Sequence, residues 1–326
     1  MHPPNTYELR VDFVENAALA VKTKQRLIDW LLGNGVESFV EGELAVDINQ
    51  NQDEPPRDHY TEMGGDLTAV SVYRYSRESL EDLKIKLEKE FQKRVNTGIL
   101  TMQTETWMEG WKESFKPFAT NEFWVRPPWI VEKAPHAGLT DLVIEPGMAF
   151  GTGQHATTRL CLEQIGLDSR EFRAVLSTRR VLDVGTGTGI LAIGCKKLGY
   201  GEIIGTDIED DAILASVENA RMNAVSIDFR LGSIPREGAP YIGSTGAPSA
   251  PSGYNLVLAN ILAVVLIRIM DDLAAVSRPG ARLILSGLLV EEQDEVVERA
   301  RKAGLLFVRA GQQDGWSSVV VAKPGR

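Results

Sequence analysis

The sequence contains little cysteine and no long hydrophobic run. Its two cysteines, Cys161 and Cys195, are too few for a disulfide framework and do not have the spacing of metal ligands. The longest apolar run, residues 261–267, is far shorter than the roughly 20 residues that a membrane-spanning helix needs. The amino terminus has no basic region followed by an apolar stretch, which predicts that there is no signal peptide. These absences predict a cytoplasmic protein without a metal centre or a membrane span.

Positive charge is also in short supply, because 45 acidic residues outnumber 35 basic residues and produce a formal net charge of −10. This balance argues against direct binding to nucleic acid and is compatible with a basic protein partner. The 326 residues are enough for about two domains, each with its own hydrophobic core.

The first 107 residues predict a small α+β domain. Alternating polar and apolar residues indicate strands, and two stretches with helical spacing separate them in the order β-α-β-β-α-β. This order is typical of ferredoxin-like domains. The segment has no recognisable catalytic cluster, so we interpret residues 1–107 as a substrate-recognition module.

An aromatic-rich segment, residues 108–140, is predicted to link this domain to the rest of the chain. It contains the pair Pro127-Pro128, which stiffens the backbone. Aromatic side chains at this density usually pack between domains, and direct contact with a partner is the alternative. The aromatic residues in and beside the segment are Trp107, Trp111, Phe115, Phe118, Phe123, Trp124 and Trp129.

Residues 141–326 alternate strands with helices, which predicts a doubly wound α/β domain with a mostly parallel sheet. A buried strand over residues 180–184 leads into the pattern D-x-G-x-G-x-G at residues 183–189, and a helix over residues 190–198 follows. A glycine turn before a helix brings backbone N–H groups within reach of a ligand. The last glycine comes too early for the dinucleotide fingerprint, so the pattern does not predict a nicotinamide site.

Two polar residues end other strands of the predicted sheet. Asp207 ends the strand after the glycine turn, where an acid commonly accepts hydrogen bonds from ribose hydroxyls, and Asn260 ends the strand over residues 254–260. Ligands of doubly wound sheets bind at these strand ends. The glycine turn followed by Asp207 resembles the S-adenosylmethionine site of the doubly wound methyltransferase superfamily.

A second glycine-rich segment, residues 144–158, precedes a helix that we expect to begin at Arg159. Thr157 and Thr158 lie at the start of this helix, where hydroxyl groups often cap free N–H groups. The alternative is that the segment closes over a ligand held by the first glycine turn. The sequence leaves both interpretations open.

Several segments together resemble the PrmA family, the methyltransferases of ribosomal protein L11. The likeness covers nearly the whole chain, and residues 123–129, 145–158 and 260–263 carry it most specifically. It implies a seven-stranded-type, doubly wound methyltransferase sheet preceded by the ferredoxin-like domain. It further implies a monomer that uses S-adenosylmethionine to methylate lysine side chains and the terminal α-amino group of free L11, a basic protein bound by the amino-terminal domain.

The resemblance also assigns roles to individual residues. Asn260 is the predicted catalytic residue, because its side-chain carbonyl can accept a hydrogen bond from the substrate amine. Independently of the resemblance, His155 lies in the second glycine-rich segment and is expected to make a structural hydrogen bond, with a proton-accepting role as the alternative. The residues predicted to bind the cofactor are Phe150, Gly151, Thr152, Gly153, Thr157, Thr158, Asp183, Gly185, Gly187, Asp207, Ile208 and Asn260.

Three other functions stay open from the sequence. The first is methylation of another protein lysine or of a small molecule. The second is a nicotinamide-dependent oxidoreductase, which the glycine spacing disfavours. The third is a binding module without catalysis, which the presence of Gly185, Asp207 and Asn260 disfavours.

Overall fold

The chain divides into two compact units, Met1–Ser114 and Phe115–Arg326. The predicted recognition module lies within the first unit, whereas most of the predicted linker belongs to the second. A computed structural model describes residues 5–14, 23, 24, 26–28, 30, 31, 36, 40, 41, 69–74, 76–103, 115–146, 151, 153, 155–234 and 253–325.

The first unit contains a four-stranded sheet in the order β2-β3-β1-β4. All neighbouring strands in it are antiparallel. Alternate residues of the long first strand, including Leu9 and Val11, are fully buried, as expected for a strand with one face on a core. The strands are β1 Asn5–Phe13, β2 Val40–Glu41, β3 Ala69–Arg74 and β4 Val95–Gln103.

Helix α1, Arg77–Phe91, packs on this sheet. Leu80, Leu83 and Leu87 recur at helical spacing and join the strand residues in one hydrophobic core. The Ser76 side chain caps the helix by accepting a hydrogen bond from the Ser79 N–H at 3.2 Å. Helical residues also occur at 23, 24, 26–28, 30 and 31, within the stretch of helical spacing that precedes the second strand.

The second unit begins with a small sheet of three strands in the order β5-β6-β7. Phe123 and Val125 of its middle strand are buried in the main core of the unit. Residues 115–140 of the segment predicted as a linker over residues 108–140 therefore belong to the second unit and contribute Phe123 and Val125 to its core. Residues 108–114 lie outside the described residues. The strands are β5 Phe118–Ala119, β6 Phe123–Arg126 and β7 Thr140–Val143.

A seven-stranded sheet in the order β10-β9-β8-β11-β12-β14-β13 forms the centre of the second unit. Neighbouring strands are parallel except at β14, which runs antiparallel to both β12 and β13. The strands are β8 Val181–Val184, β9 Ile203–Asp207, β10 Asp228–Leu231, β11 Tyr254–Asn260, β12 Ser277–Leu289, β13 Leu306–Gln313 and β14 Trp316–Ala322.

Helices cover both faces of this sheet, as predicted for a doubly wound domain. Successive residues of β8 enter different hydrophobic cores: Val181 joins one and Leu182 joins the other. The first core contains residues of α2 and α3, and the second contains residues of α5 and α6. The helices are α2 Ala156–Glu171, α3 Ile190–Leu198, α4 Asp210–Met222, α5 Ala263–Val276 and α6 Gln293–Lys302.

Two absences concern only the part of the chain that the structure describes. No helix there is both long enough and apolar enough to cross a membrane. No group of three or more His, Cys, Asp or Glu side chains there is arranged to hold a metal ion.

Candidate active site

The carboxyl ends of three adjacent strands meet at one edge of the seven-stranded sheet. β8 lies between β9 and β11, and Val184 pairs with Thr206 on one side and with Ala259 on the other. Because the strands are parallel, the residues after these pairs are neighbours, as the sequence predicts. They are Gly185, Asp207 and Asn260.

The glycine turn after β8 depends on backbone conformations that favour glycine. Gly185, Gly187 and Gly189 have φ angles of +70°, +53° and +81°. The N–H groups of residues 185 and 186 both donate to the Thr206 carbonyl at 2.9 Å, which ties the turn to β9. A Cβ at Gly189 would lie 3.2 Å from the backbone of α4, so the third glycine also permits close helix packing.

Asp207 is held from two sides at the end of β9. Its Oδ2 accepts a hydrogen bond from the Gly187 N–H at 2.9 Å, and its Oδ1 accepts one from the Glu209 N–H at 3.1 Å. Burial raises the pKa of Asp207 to about 6, and the backbone N–H groups oppose that shift. The following residue, Ile208, is 42% exposed. The carboxylate is thus oriented beside the glycine turn, with lone pairs left for further donors.

Asp183 is a fully buried carboxylate one residue before the end of β8. Its Oδ2 accepts a hydrogen bond from the Thr186 hydroxyl at 2.7 Å, and its Oδ1 has no hydrogen-bond partner among the described residues. Burial raises the pKa of Asp183 to about 7, and the nearby charge of Asp207 adds to the effect. Two buried carboxylates therefore lie on either side of the glycine turn.

Of the two interpretations that the sequence leaves open for Thr157 and Thr158, capping of α2 by their hydroxyl groups is not what the structure shows. The helix begins at Ala156 rather than Arg159, and its cap is the imidazole of His155, which accepts from the Thr157 N–H at 3.4 Å. The Thr157 hydroxyl lies 2.8 Å from His155 Nδ1. The Thr158 hydroxyl instead accepts a hydrogen bond from Asn260 Nδ2 at 3.3 Å. The earlier helix start leaves the Thr158 side chain free to contact the strand end.

The side-chain oxygen of Asn260 is a buried hydrogen-bond acceptor at the end of β11. The residue is 8% exposed, and its Oδ1 is buried with no hydrogen-bond partner among the described residues. An unpaired buried carbonyl oxygen is costly, which is typical of a site that a ligand completes. Together with the Asp207 carboxylate beside the glycine turn, this oxygen provides hydrogen-bond acceptors at the carboxyl ends of β9 and β11.

The second glycine segment contacts the first through a side chain that sequence reasoning missed. The Thr188 hydroxyl donates to the Gly151 carbonyl at 2.6 Å. Gly153, with φ +89°, packs so closely on Phe118 that a Cβ would lie 2.8 Å from its ring. Phe150 and Thr152, the other predicted residues of this segment, lie outside the described residues. A threonine between two glycines carries no signal in the sequence that identifies this contact.

The sequence of this chain matches one protein family over most of its length. The model of the family described as "Ribosomal protein L11 methyltransferase (PrmA)" matches residues 16–324. A ribosomal protein L11 methyltransferase of Chromohalobacter salexigens is 32% identical over 300 residues, 88% of this chain and 92% of that protein. One from Symbiobacterium thermophilum is 37% identical over 223 residues, 68% of this chain and 67% of that protein.

A solved structure agrees in fold. The crystal structure of a ribosomal protein L11 methylase from Lactobacillus delbrueckii subsp. bulgaricus superimposes with a TM-score of 0.55 and 24% identity, covering 64% of this chain and 100% of that chain. The family match over most of the sequence and the relatives above 30% identity lead to one conclusion. This chain belongs to the PrmA family of ribosomal protein L11 methyltransferases.

Proposed function

We propose that this protein transfers methyl groups from S-adenosylmethionine to lysine side chains and to the terminal α-amino group of ribosomal protein L11. Family membership over residues 16–324 supports both the methyl donor and the substrate. The observation that carries the chemistry is the buried Asn260 Oδ1, an acceptor without a described partner at the end of β11. An amine N–H is the donor that this oxygen lacks.

The cofactor is proposed to lie over the glycine turn. The Asp207 carboxylate, oriented by the Gly187 and Glu209 N–H groups, would accept hydrogen bonds from the ribose hydroxyls. Ile208, half exposed beside it, would contact the adenine ring. Buried Asp183 would contribute by fixing the glycine turn, because its Oδ2 accepts a hydrogen bond from the Thr186 hydroxyl at 2.7 Å. The other proposed contacts are Phe150, Gly151, Thr152, Gly153, Thr157, Thr158, Gly185, Gly187 and Asn260.

Asn260 is proposed to act on the substrate amine. S-adenosylmethionine, when bound, supplies a methyl group on a good leaving group, so the protein contributes mainly positioning and desolvation. A lysine side chain in water has a pKa of about 10.4 and must lose a proton to water before it can react, and burial in the site favours the neutral amine. Asn260 Oδ1 would then accept a hydrogen bond from that amine, while Thr158 holds Asn260 Nδ2 at 3.3 Å.

The first unit is proposed to be a ferredoxin-like module that recognises L11. The sheet order β2-β3-β1-β4, with all neighbours antiparallel, supports this topology. The formal net charge of −10 supports a basic protein partner and argues against direct contact with nucleic acid. We further propose that the enzyme is a monomer that acts in the cytoplasm on free L11.

The test is methyl transfer to purified L11 from methyl-labelled S-adenosylmethionine, followed by mass spectrometry of the labelled sites. We expect label on lysines and on the amino terminus. We expect Asn260→Ala to lower kcat by about 100-fold, because it removes a hydrogen bond to the reacting amine. Its affinity for the cofactor should change only a few fold.

A matched control lies in the same strand. Asn255→Ala removes an asparagine at the opposite end of β11, where its side chain accepts from the Arg180 N–H, and should leave kcat near the wild-type value. Unchanged turnover in Asn260→Ala would exclude Asn260 from the mechanism. The same reaction is also run in a cell lysate. Label on another protein there, with none on L11, would support methyl transfer by this enzyme and reject L11 as its substrate.

A further inference from the structure

The residue after Asn260 lies between two glycines, Gly185 in the turn after β8 and Gly287 in β12. A Cβ at Gly185 would lie 2.5 Å from Ile261 Cγ2, so the Ile261 side chain occupies the space that a side chain at residue 185 would need. A Cβ at Gly287 would lie 2.3 Å from Ile261 O and 2.6 Å from its carbonyl carbon. The side chain of Ile261 therefore packs against Gly185, and the backbone of Ile261 packs against Gly287.

Gly287 reaches Ile261 because β12 has a bulge at this position. Ser286 pairs with Ser318 and Leu288 pairs with Ser317, so Gly287 has no opposite residue in β14. Its φ angle of +88° is in the left-handed region that favours glycine. Bulges next to active sites commonly redirect a neighbouring side chain.

The bulge is also bonded to the segment that carries Asn260. The Ile261 N–H donates to the Ser286 carbonyl at 3.1 Å. The Ser286 hydroxyl in turn donates to the Ser317 carbonyl at 2.9 Å, which joins the bulge to β14. The position of the Ile261 backbone thus follows from β12 and β14 as well as from its own strand.

We propose that Gly287 is a positioning residue for methyl transfer: by lacking a side chain, it lets the Ile261 backbone occupy the place that directs Asn260 Oδ1 at the substrate amine. This inference rests on the proposed function of Asn260. Any side chain at residue 287 would displace the Ile261 carbonyl, and the packing on Gly185 limits the directions in which Ile261 can move. The displacement would pass directly to Asn260, the adjacent residue.

A second glycine of the same strand separates this effect from backbone strain. Gly280 also lies in β12 and has a φ angle of +78°, but a Cβ added there would meet nothing within 4 Å. Gly280→Ala and Gly287→Ala therefore carry similar left-handed strain, and only the second adds the contact with Ile261.

The experiment compares both variants in the full-length protein. For Gly287→Ala we expect kcat for L11 methylation to fall by about 100-fold, the loss expected from a misplacement of about 1 Å. The Kd for S-adenosylmethionine and the KM for L11 should stay within a few fold of the wild type. Gly280→Ala should keep kcat near the wild-type value, although the strain lowers Tm in both variants. A general loss of structure would instead change Kd and kcat together.

A spectroscopic readout makes the inference testable without any substrate. In protein labelled with ¹⁵N-asparagine, the side-chain amide resonance of Asn260 is identified by its loss in Asn260→Ala. This resonance should shift in Gly287→Ala and stay in place in Gly280→Ala. If the wild-type protein fails to methylate L11, the proposed function is wrong, and the resonance still decides whether Gly287 controls the position of Asn260.

Two results would overturn the inference. One is wild-type kcat in Gly287→Ala, and the other is an equal loss of kcat in both glycine variants. If circular dichroism shows that Gly287→Ala does not fold, Ile261→Ala becomes the deciding variant. Removing the side chain that packs on Gly185 should lower kcat by about tenfold with unchanged cofactor affinity, and an unchanged kcat there would also reject the proposal.

Discussion

Charged residues are buried near both ends of the parallel strands in the large sheet, but the bonding partners of these residues differ between the two ends. Near the amino ends, Asp168 and Arg179 are 1% and 5% exposed and face each other at 3.3 Å. The Tyr200 hydroxyl donates to Asp168 Oδ2 at 2.6 Å, and the Arg179 guanidinium lies 3.8 Å from the centre of the Phe172 ring. Charge here is balanced within the protein.

At the carboxyl ends, two acids are buried together. Among the described residues, Asp183 and Asp207 are held by a threonine hydroxyl and by backbone N–H groups, and burial raises the pKa of both. Asn260 adds a buried oxygen without a described partner. The comparison teaches that the amino ends use polar groups for stability, whereas the carboxyl ends leave acceptors available for a cationic, hydroxyl-bearing ligand.

The largest effect is expected from breaking the pair at the amino ends. Arg179→Ala leaves Asp168 buried without its cation, so the free energy of unfolding should fall by about 3–5 kcal/mol in chemical denaturation. Cofactor affinity of the folded protein should not change, because the pair lies at the end of the sheet away from the glycine turn.

The matched control is an exposed ion pair. Arg301 and Glu298 are 2.8 Å apart with side chains that are 68% and 47% exposed, and Arg301→Ala should leave stability unchanged within experimental error. Equal stability of the Arg179 and Arg301 variants would mean that the buried pair has no structural role.

A smaller effect is expected from Asp207→Ala at the carboxyl ends. Loss of the ribose acceptor should weaken S-adenosylmethionine binding by about 30-fold, because hydrogen bonds to a charged group are worth roughly 1.5–3 kcal/mol. Isothermal titration calorimetry measures this change. Asp228→Ala, which removes an exposed acid from the neighbouring β10, is the control and should bind normally. Normal binding by Asp207→Ala would remove this carboxylate from the cofactor site.

The smallest effect concerns pH. Asp183 has a pKa of about 7 in the folded protein against an ordinary value of 3.8, so between these values the folded state holds a proton that the unfolded chain has released. Its contribution to stability is therefore complete at acidic pH and is lost as the pH rises through about 7.

Asp183→Asn removes this dependence. The free energy of unfolding of the variant minus that of the wild type should rise by on the order of 2 kcal/mol from about pH 5 to about pH 6.5. Asp207 titrates in both proteins, so the difference reports Asp183 together with its electrostatic coupling to Asp207. A difference that stays constant with pH would show that Asp183 is already ionised in the acidic folded protein.

Local patterns predicted the elements that carry the site more accurately than those around it. The predicted helix over 190–198 matches the structure, and so does the strand over 254–260, because apolar spacing and the glycine turn mark their ends. The start of α2 was placed three residues late, since a histidine cap is not a strong local signal.

The sequence by itself determined the α/β class, the glycine turn and the two strand-ending residues Asp207 and Asn260, because hydrophobic period and glycine spacing are properties of short segments. The tertiary structure alone decided which groups meet. Thr158 reaches Asn260 across 102 residues of chain, and Gly287 reaches Ile261 through a bulge in another strand. Such contacts depend on how distant segments pack, and no local pattern encodes the distance between them.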